Sequence, residues 1–173
     1  MARIARITLA AAAGLAALVS GATTAHAEPN TTYFRFQVEH SGKCLTVAGG
    51  SLADDVAAVQ STCAAGLDNQ LFALKPAGQG QFQMQAKHSG KCLTTGADLN
   101  WQVEQRWCST ITTQRWRVMM VDVAKGLHQL RPGDELDYCL TVPDFSTADG
   151  VRPGIGQCGD LSPQRWTVTA AAS

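Results

Sequence analysis

Charged residues are scarce in this sequence of 173 residues. They make up 16% of the chain and are balanced, with 14 basic and 14 acidic side chains. Leaving out Arg3 and Arg6, which lie within the first 27 residues, lowers the basic count to 12 against 14 acidic residues. A nucleic-acid footprint or a polybasic membrane anchor needs clustered Lys and Arg. We therefore expect no nucleic-acid partner and no attachment to a membrane through basic residues.

The sequence has no hydrophobic run long enough to span a membrane. The longest apolar stretch, Ile7 to Val19, has 13 residues, whereas a spanning helix needs about 20. A short basic start precedes this stretch and the small-residue sequence Ala25-His26-Ala27 follows it, which is typical of a secretory signal peptide. We predict that residues 1–27 are the signal peptide and that the protein is secreted and extracellular, with no membrane span.

Motifs of enzymes, metal sites and cofactor sites are missing or out of context. The sequence contains no G-x-S-x-G and no C-x-x-C, which are signatures of one hydrolase class and of many zinc sites. Residues Gly154 to Gly159 match the spelling of a dinucleotide-binding fingerprint, but no helical pattern follows and no βαβ pattern surrounds them. We therefore expect a protein that is not an enzyme and has no metal and no cofactor.

Six cysteines follow the predicted cleavage site, and they would lie in a compartment where disulfides persist. They fall in twos, at separations of 19, 16 and 19 residues: Cys44 and Cys63, Cys92 and Cys108, Cys139 and Cys158. Six cysteines allow 15 pairings, and the sequence alone does not choose among them. The spacing nevertheless indicates three similar segments that each hold two cysteines.

A seven-residue sequence, HSGKCLT, occurs unchanged at 40–46 and at 88–94, and Cys139-Leu140-Thr141 is a shorter copy. Each segment also closes on a Gln-x-aromatic triplet, at 70–72, 114–116 and 164–166. Apolar residues around these motifs alternate with period 2, as expected for strands with one face in a core. The sequence predicts three copies of an all-β unit, at approximately 33–76, 80–121 and 126–169.

The third copy is the least regular. Glu135 stands where His40 and His88 stand in the other copies, four residues before the cysteine. The distance from the closing aromatic residue to the next cysteine is 23 residues here, against 20 between the first two copies. Residues 131–134, Arg-Pro-Gly-Asp, interrupt the alternation of the opening strand, so the sequence predicts a longer loop there.

These motifs resemble the repeat of the ricin B-type lectin family. The similarity rests on HSGKCLTVAGG at 40–50, a Gln shortly before the second cysteine, the closing Gln-x-Trp and the triplication, and it covers roughly Tyr33 to Thr169. The resemblance implies a single β-trefoil domain at 28–173, with three pseudo-symmetric four-stranded repeats forming a six-stranded barrel closed by three hairpins. It also implies one disulfide within each repeat, Cys44–Cys63, Cys92–Cys108 and Cys139–Cys158.

The resemblance further implies one shallow sugar pocket in each repeat. Such a pocket combines an aspartate two residues after the first cysteine, a glutamine and an aromatic residue near the second, and an asparagine before the closing triplet. Threonine occupies the aspartate position in every repeat, as Thr46, Thr94 and Thr141. The candidate carbohydrate-binding residues, in which the two aspartates are substitute acceptors, are Gln60, Asn69, Asp98, Gln105, Trp107 and Asp144.

Two interpretations of Trp107 remain open, because its ring could either stack on a sugar or pack against the Cys92–Cys108 bridge. Two interpretations of the whole chain remain open as well. The first is a secreted, non-catalytic carbohydrate-binding module that recognises a polysaccharide or cell-surface glycan with weak individual sites. The second is a β-trefoil protein-interaction module, an inhibitor or a subunit of a secreted assembly, with degenerate sugar pockets. The missing aspartates favour the second, and Gln105 with Trp107 favours the first.

Overall fold

The computed structural model describes residues 31–96 and 102–171. The predicted signal peptide and Asp98 therefore lie outside the described residues. Five short 3-10 turns accompany the strands, at Ala48–Gly50, Asp68–Gln70, Thr112–Gln114, Pro143–Phe145 and Ser162–Gln164. The strands are β1 Tyr33–Val38, β2 Cys44–Val47, β3 Val56–Ser61, β4 Phe72–Gly78, β5 Gln81–Ala86, β6 Cys92–Thr95, β7 Val103–Arg106, β8 Trp116–Asp122, β9 Leu127–Pro132, β10 Tyr138–Thr141, β11 Gly154–Gln157 and β12 Trp166–Ala170.

Six of these strands form a closed antiparallel barrel. Strands β12, β9, β8, β5, β4 and β1 are neighbours in that order, and β1 pairs with β12 to close the ring. The closing pairs run from Phe34 with Ala170 to Val38 with Trp166, and closure removes the edge strands that would invite aggregation. The other six strands form the hairpins β2–β3, β6–β7 and β10–β11. The predicted all-β trefoil of three four-stranded repeats is therefore confirmed.

The closing aromatic residues of the three repeats meet in one core. Phe72, Trp116 and Trp166 are all fully buried. The indole Nε1 of Trp116 donates to the carbonyl of Leu93 at 3.0 Å, and Trp166 makes the equivalent bond to Leu140 at 3.3 Å. Each large ring therefore fills the core while its single polar atom is satisfied, as buried tryptophans require.

One disulfide lies within each repeat, with the pairing that the resemblance implied. The glutamine of each closing triplet is buried and holds the chain on both sides of the second cysteine. Gln70 donates to the carbonyl of Thr62 and accepts from the N–H of Ala64, both at 3.0 Å. Gln114 and Gln164 make the same two bonds in their own repeats. The triplets are thus structural, because a buried amide needs partners for its polar atoms.

The opening strand of the third repeat is longer than the sequence predicts. Arg131 and Pro132, expected in a loop, are the last residues of β9 and pair with the first residues of β8. Proline is tolerated at this position because no ladder bond is needed from a strand end. The extra residues lie in the following turn, where the N–H of Gly133 donates to the carbonyl of Arg115 at 2.7 Å. A Cβ at Gly133 would come within 2.9 Å of the Arg115 side chain, so the close approach requires glycine.

Candidate functional site

The repeated HSGK segment contacts a loop of the neighbouring repeat. In the first repeat, His40 Nε2 donates to the carbonyl of Ser146, which belongs to the third repeat, at 2.8 Å. Gln60 Nε2 donates to the carbonyls of Ser146 and Ala148 at 2.7 and 2.9 Å. Ser41 Oγ donates to Gln60 Oε1 at 2.9 Å. We call this arrangement of histidine, serine and glutamine, with the lysine described below, the inter-repeat clamp.

The second repeat clamps a loop of the first in the same way. His88 Nε2 donates to the carbonyl of Ser51 at 3.1 Å. Gln105 Nε2 donates to the carbonyls of Ser51 and Ala53 at 2.8 and 2.7 Å, and Ser89 Oγ donates to Gln105 Oε1 at 2.8 Å. The exact recurrence of the HSGK letters therefore follows from equivalent contacts between repeats.

A lysine–aspartate pair completes each clamp. Lys43 Nζ lies 2.7 Å from Asp149 of the third repeat, and Lys91 Nζ lies 2.7 Å from Asp54 of the first. In both pairs the same carboxylate oxygen also accepts the N–H of the residue before the second cysteine, at 2.8 and 3.1 Å. Each aspartate thus ties the loop of one repeat to a hairpin of the next with charge-assisted hydrogen bonds.

The Lys43–Asp149 pair gives stability a specific dependence on pH. The hydrogen bond from Lys43 lowers the pKa of Asp149 below its ordinary value of 3.8, against desolvation and with help from Thr62. A carboxyl group whose folded-state pKa is depressed stabilises the protein above its unfolded pKa, and this contribution is lost as the pH falls through the folded pKa. We expect the urea midpoint to fall below about pH 3.8, and to fall less in Asp149→Asn. Identical profiles for the two proteins, measured by a pH series of urea unfolding curves, would contradict this pairing.

The clamp residues are replaced at the junction between the second and third repeats. Glu135, Leu136 and Tyr138 stand at the positions of the histidine, serine and lysine, and Ile155 stands at the position of the glutamine. A cleft of about 290 Å³ lies at this junction. We call it the junction cleft, and its lining residues are Thr95, Gly96, Thr112 and Thr113 of the second repeat and Pro132, Gly133, Asp134 and Glu135 of the third.

Several of the predicted site residues serve contacts within the protein. Gln60 and Gln105 have no exposed surface, and their amides are used in the two clamps. Asn69 is half-buried and donates to the carbonyl of Val47 at 2.9 Å. Asp144 is exposed with a φ of 54°, in the loop that Gln60 holds. The structure therefore brings Gln60 to the loop of Asp144 across a repeat boundary, rather than gathering one pocket within each repeat.

Trp107 is the most prominent exposed aromatic residue among the described residues, at 73% exposure. Lys91 Nζ lies 4.2 Å from the ring centroid, a cation–π distance, and Asp54 fixes that lysine. Most of the ring therefore faces solvent and does not pack on the Cys92–Cys108 bridge. A cavity of about 410 Å³ surrounds it, and we call this region the Trp107 face, lined by Asp54, Asp55, Arg106, Trp107, Ser109, Ile111 and Gln114.

The sequence analysis missed the charged residues beside Trp107. Arg106 lies 2.6 Å from Asp55 and 2.7 Å from Glu104. The period of two along β7 could have revealed this arrangement, because Gln105 shares the inward face of the buried Val103. Glu104 and Arg106 then point to the opposite face. The polar groups available to a ligand are thus Arg106 and Asp55, with Gln105 beneath them.

Metal ligands do not cluster in the part of the chain that the structure describes, since no three or more His, Cys, Asp or Glu there could hold an ion. Within residues 31–96 and 102–171, no helix has the length and apolar character needed to cross a membrane.

A closed six-stranded barrel with three disulfide-bonded hairpins defines a β-trefoil protein. Two family models match the sequence, a ricin-type beta-trefoil lectin domain-like model at residues 23–103 and a ricin-type beta-trefoil lectin domain model at residues 80–173. The chain belongs to the ricin-type β-trefoil lectin domain family, which supports a carbohydrate-binding module. A comparison with curated protein sequences gives no match.

Solved structures with the same fold include lectins and a glycosidase. The designed threefold symmetric protein ThreeFoil is 29% identical, with a TM-score of 0.71, covering 79% of this chain and 96% of its own. The earthworm R-type lectin C-half in complex with GalNAc is 15% identical, with a TM-score of 0.67, covering 81% and 99%. The exo-beta-1,3-galactanase 1,3Gal43A from Clostridium thermocellum is 24% identical, with a TM-score of 0.71, covering 83% of this chain and 31% of the enzyme.

Proposed function

We propose that this chain is a secreted, non-catalytic carbohydrate-binding module that recognises a polysaccharide or cell-surface glycan through weak individual sites. Membership of the lectin family supports sugar binding, and the three disulfides are consistent with an extracellular protein. The observation that carries the proposal is the exposed ring of Trp107, held beside the carboxylate of Asp55 and the guanidinium of Arg106.

The Trp107 face supplies both kinds of contact that a sugar needs. A sugar ring has a C–H face that packs on an aromatic ring, and hydroxyls that donate and accept hydrogen bonds. Trp107 provides the ring, Asp55 provides acceptors and Arg106 provides donors. The backbone of Trp107 is fixed because its N–H donates to Asp54 and its carbonyl accepts from Gln114, so little ordering is needed on binding. Gln105 acts from beneath by holding the loop that carries Asp54.

Weak individual sites follow from the threonines at the family's aspartate position. Thr46 and Thr94 are buried and provide no carboxylate. A hydrogen bond to a charged acceptor is worth about 1.5–3 kcal/mol, so its loss weakens a site by roughly ten- to a hundredfold. Asn69 and Asp144 are the candidates in the first and third repeats, and Asp144 lies beside Phe145, which is 56% exposed. Asp98 remains a prediction. Several weak sites still retain a polymer by avidity.

Retention on immobilised polysaccharide tests the Trp107 face. We expect Trp107→Ala to lower the affinity for a retained polymer by roughly two- to tenfold, because an aromatic contact is worth about 0.5–1.5 kcal/mol beyond its buried area. Immobilised β-1,3-galactan, xylan and chitin are suitable columns. Val123→Ala is the matched control, since Val123 is 81% exposed and lies in the turn after β8. Equal retention of the two variants would contradict the role of Trp107, and hydrolysis of any of these polymers would contradict a non-catalytic module.

A protein-docking module is the second candidate function. It is favoured by a run of exposed apolar residues at the end of the β8–β9 hairpin, Met119, Met120, Val121 and Val123. A stoichiometric complex that purifies with the secreted protein and is lost in Met120→Asp, together with no retention on any polysaccharide, would support docking over sugar binding.

A further inference from the structure

The junction cleft is separate from the Trp107 face and lies between two repeats. We infer that it is a second sugar site, which takes one neutral sugar ring between the second and third repeats. The inference rests on the proposed function, since it names a further site for the same class of ligand. Among its described lining residues, only Thr113 stands at a position that the resemblance assigns to a pocket within one repeat.

The cleft exists because the pseudo-threefold symmetry fails at this junction. At the other two junctions, an imidazole and a buried amide reach from one repeat to a loop carbonyl of its neighbour. Here Glu135 replaces the histidine and Ile155 replaces the glutamine. The disulfide loop of the second repeat is also shorter, at 16 residues against 19 in the other two repeats. The space that a clamp occupies elsewhere is therefore available to a ligand.

The side chains of the cleft suit a neutral molecule with many hydroxyls. The hydroxyls of Thr95, Thr112 and Thr113 line one wall, and the exposed carboxylates of Asp134 and Glu135 line the other. The described lining contains no Lys, Arg or His, so it offers an anion no positive partner. Hydroxyl groups of a sugar can donate to both carboxylates and exchange hydrogen bonds with the threonines, and charged acceptors make such bonds stronger.

Size and apolar surface limit the ligand to about one ring. The volume of about 290 Å³ is at the lower end of the range of roughly 300–1,000 Å³ for small-molecule sites. The ring of Pro132 and the threonine methyl groups provide apolar surface for the C–H face of a sugar. A large apolar ligand would instead leave both carboxylates desolvated and unpaired, which is costly.

The wall from the third repeat is held in place before any ligand binds. The buried Gln81 donates through Nε2 to the carbonyl of Gly133 at 3.0 Å and to Asp134 Oδ1 at 3.2 Å. Arg117 Nε donates to the same carbonyl at 3.1 Å. These contacts orient Asp134, and a site fixed by its supporting residues avoids the cost of ordering on binding.

A titration with free sugars tests the junction cleft. The probes are galactose, N-acetylgalactosamine, glucose, N-acetylglucosamine, mannose and lactose at millimolar concentration, followed by amide chemical shifts of the oxidised protein. We expect shifts at Gly96, Thr113 and Gly133, and an affinity about tenfold lower in Glu135→Ala and in Thr113→Val. Glu135→His, which introduces the imidazole of the other junctions, should weaken binding too. Asp160→Ala is the matched control, because Asp160 is an exposed carboxylate outside the cleft.

The outcomes separate this inference from the proposed function. Sugar-dependent shifts that depend on Trp107 and persist unchanged in Glu135→Ala would overturn the junction cleft and leave the proposed function intact. Shifts at the cleft with free arginine but with no sugar would overturn the assignment of a neutral ligand. Absence of binding both to these sugars and to immobilised polysaccharides would overturn the proposed function and the inference together. Unchanged melting temperatures in Glu135→Ala show that a loss of binding is not a loss of folding.

Discussion

Reducing all three disulfides is expected to unfold this protein at room temperature. Each bridge closes a loop of 16 to 19 residues, which the chain-entropy model values at about 3 kcal/mol. Together they contribute about 9 kcal/mol, which is comparable with the whole stability of a typical domain, about 5–15 kcal/mol. Trp116 and Trp166 are buried, so their fluorescence and the far-ultraviolet circular dichroism report the unfolding after treatment with dithiothreitol.

Removing one bridge gives the graded control for the reduction experiment. Cys92→Ala combined with Cys108→Ala should cost about 3 kcal/mol, which corresponds to a drop of roughly 6–12 °C in melting temperature for a protein of this size. The double variant should still fold and bind sugar. A fully reduced protein with the same denaturant midpoint as the oxidised one would contradict the role given to the bridges.

Replacing Gln60 by alanine is expected to destabilise the protein by about 3 kcal/mol. The side chain is fully buried and makes three hydrogen bonds, to the carbonyls of Ser146 and Ala148 and from Ser41. Its removal leaves these buried groups without partners, at about 1–3 kcal/mol for each unsatisfied group, with partial relief from entering water. The melting temperature should fall by roughly 6–12 °C, and the loop of Asp144 should lose protection in hydrogen exchange.

Gln157→Ala is the matched control for the clamp. Gln157 is exposed, and its contact with Gln164 uses the backbone carbonyl, which alanine retains. Its melting temperature should therefore remain within about 2 °C of the wild type, since surface substitutions change stability by about 0.5 kcal/mol or less. Equal melting temperatures for Gln60→Ala and Gln157→Ala would contradict the clamp between the first and third repeats.

The fold could be predicted from the sequence because the same environments recur three times. A single Gln-x-Trp triplet carries little information, but Gln70, Gln114 and Gln164 occupy one structural position and bracket one disulfide each. Equal surroundings select equal residues at equal spacing, so the repetition was readable. The loop expected at residue 131 was wrong because the strand accepts Arg131 and Pro132 at its end, where proline's missing N–H costs no ladder bond.

The clamp could not be predicted, because its partners leave no trace in the sequence. His40 and His88 bind backbone carbonyls that lie 106 and 37 residues away, and every residue has a carbonyl whatever its side chain. The recurrence of the histidines indicated architecture without naming the partner. Only the assembled barrel places the loop of one repeat against the strands of the next.

The candidate site was harder to predict than the fold, since one position along a strand decides whether a side chain meets solvent. Gln105 and Trp107 are two residues apart and were grouped as one site, yet Gln105 is buried and Trp107 is exposed. The alternation of β7 ends at Arg106, so Trp107 follows no strand rule. The junction cleft depends on the replacement of four clamp residues, whose meaning is visible only beside the two intact junctions.

A glycan array probed with the oxidised wild-type protein is the most direct test of carbohydrate binding by this trefoil. The account predicts a signal on at least one class of polysaccharide or cell-surface glycan, stronger at high ligand density and competed by the free sugar at millimolar concentration. A blank array, together with a stoichiometric protein partner bound through the β8–β9 hairpin, would contradict it.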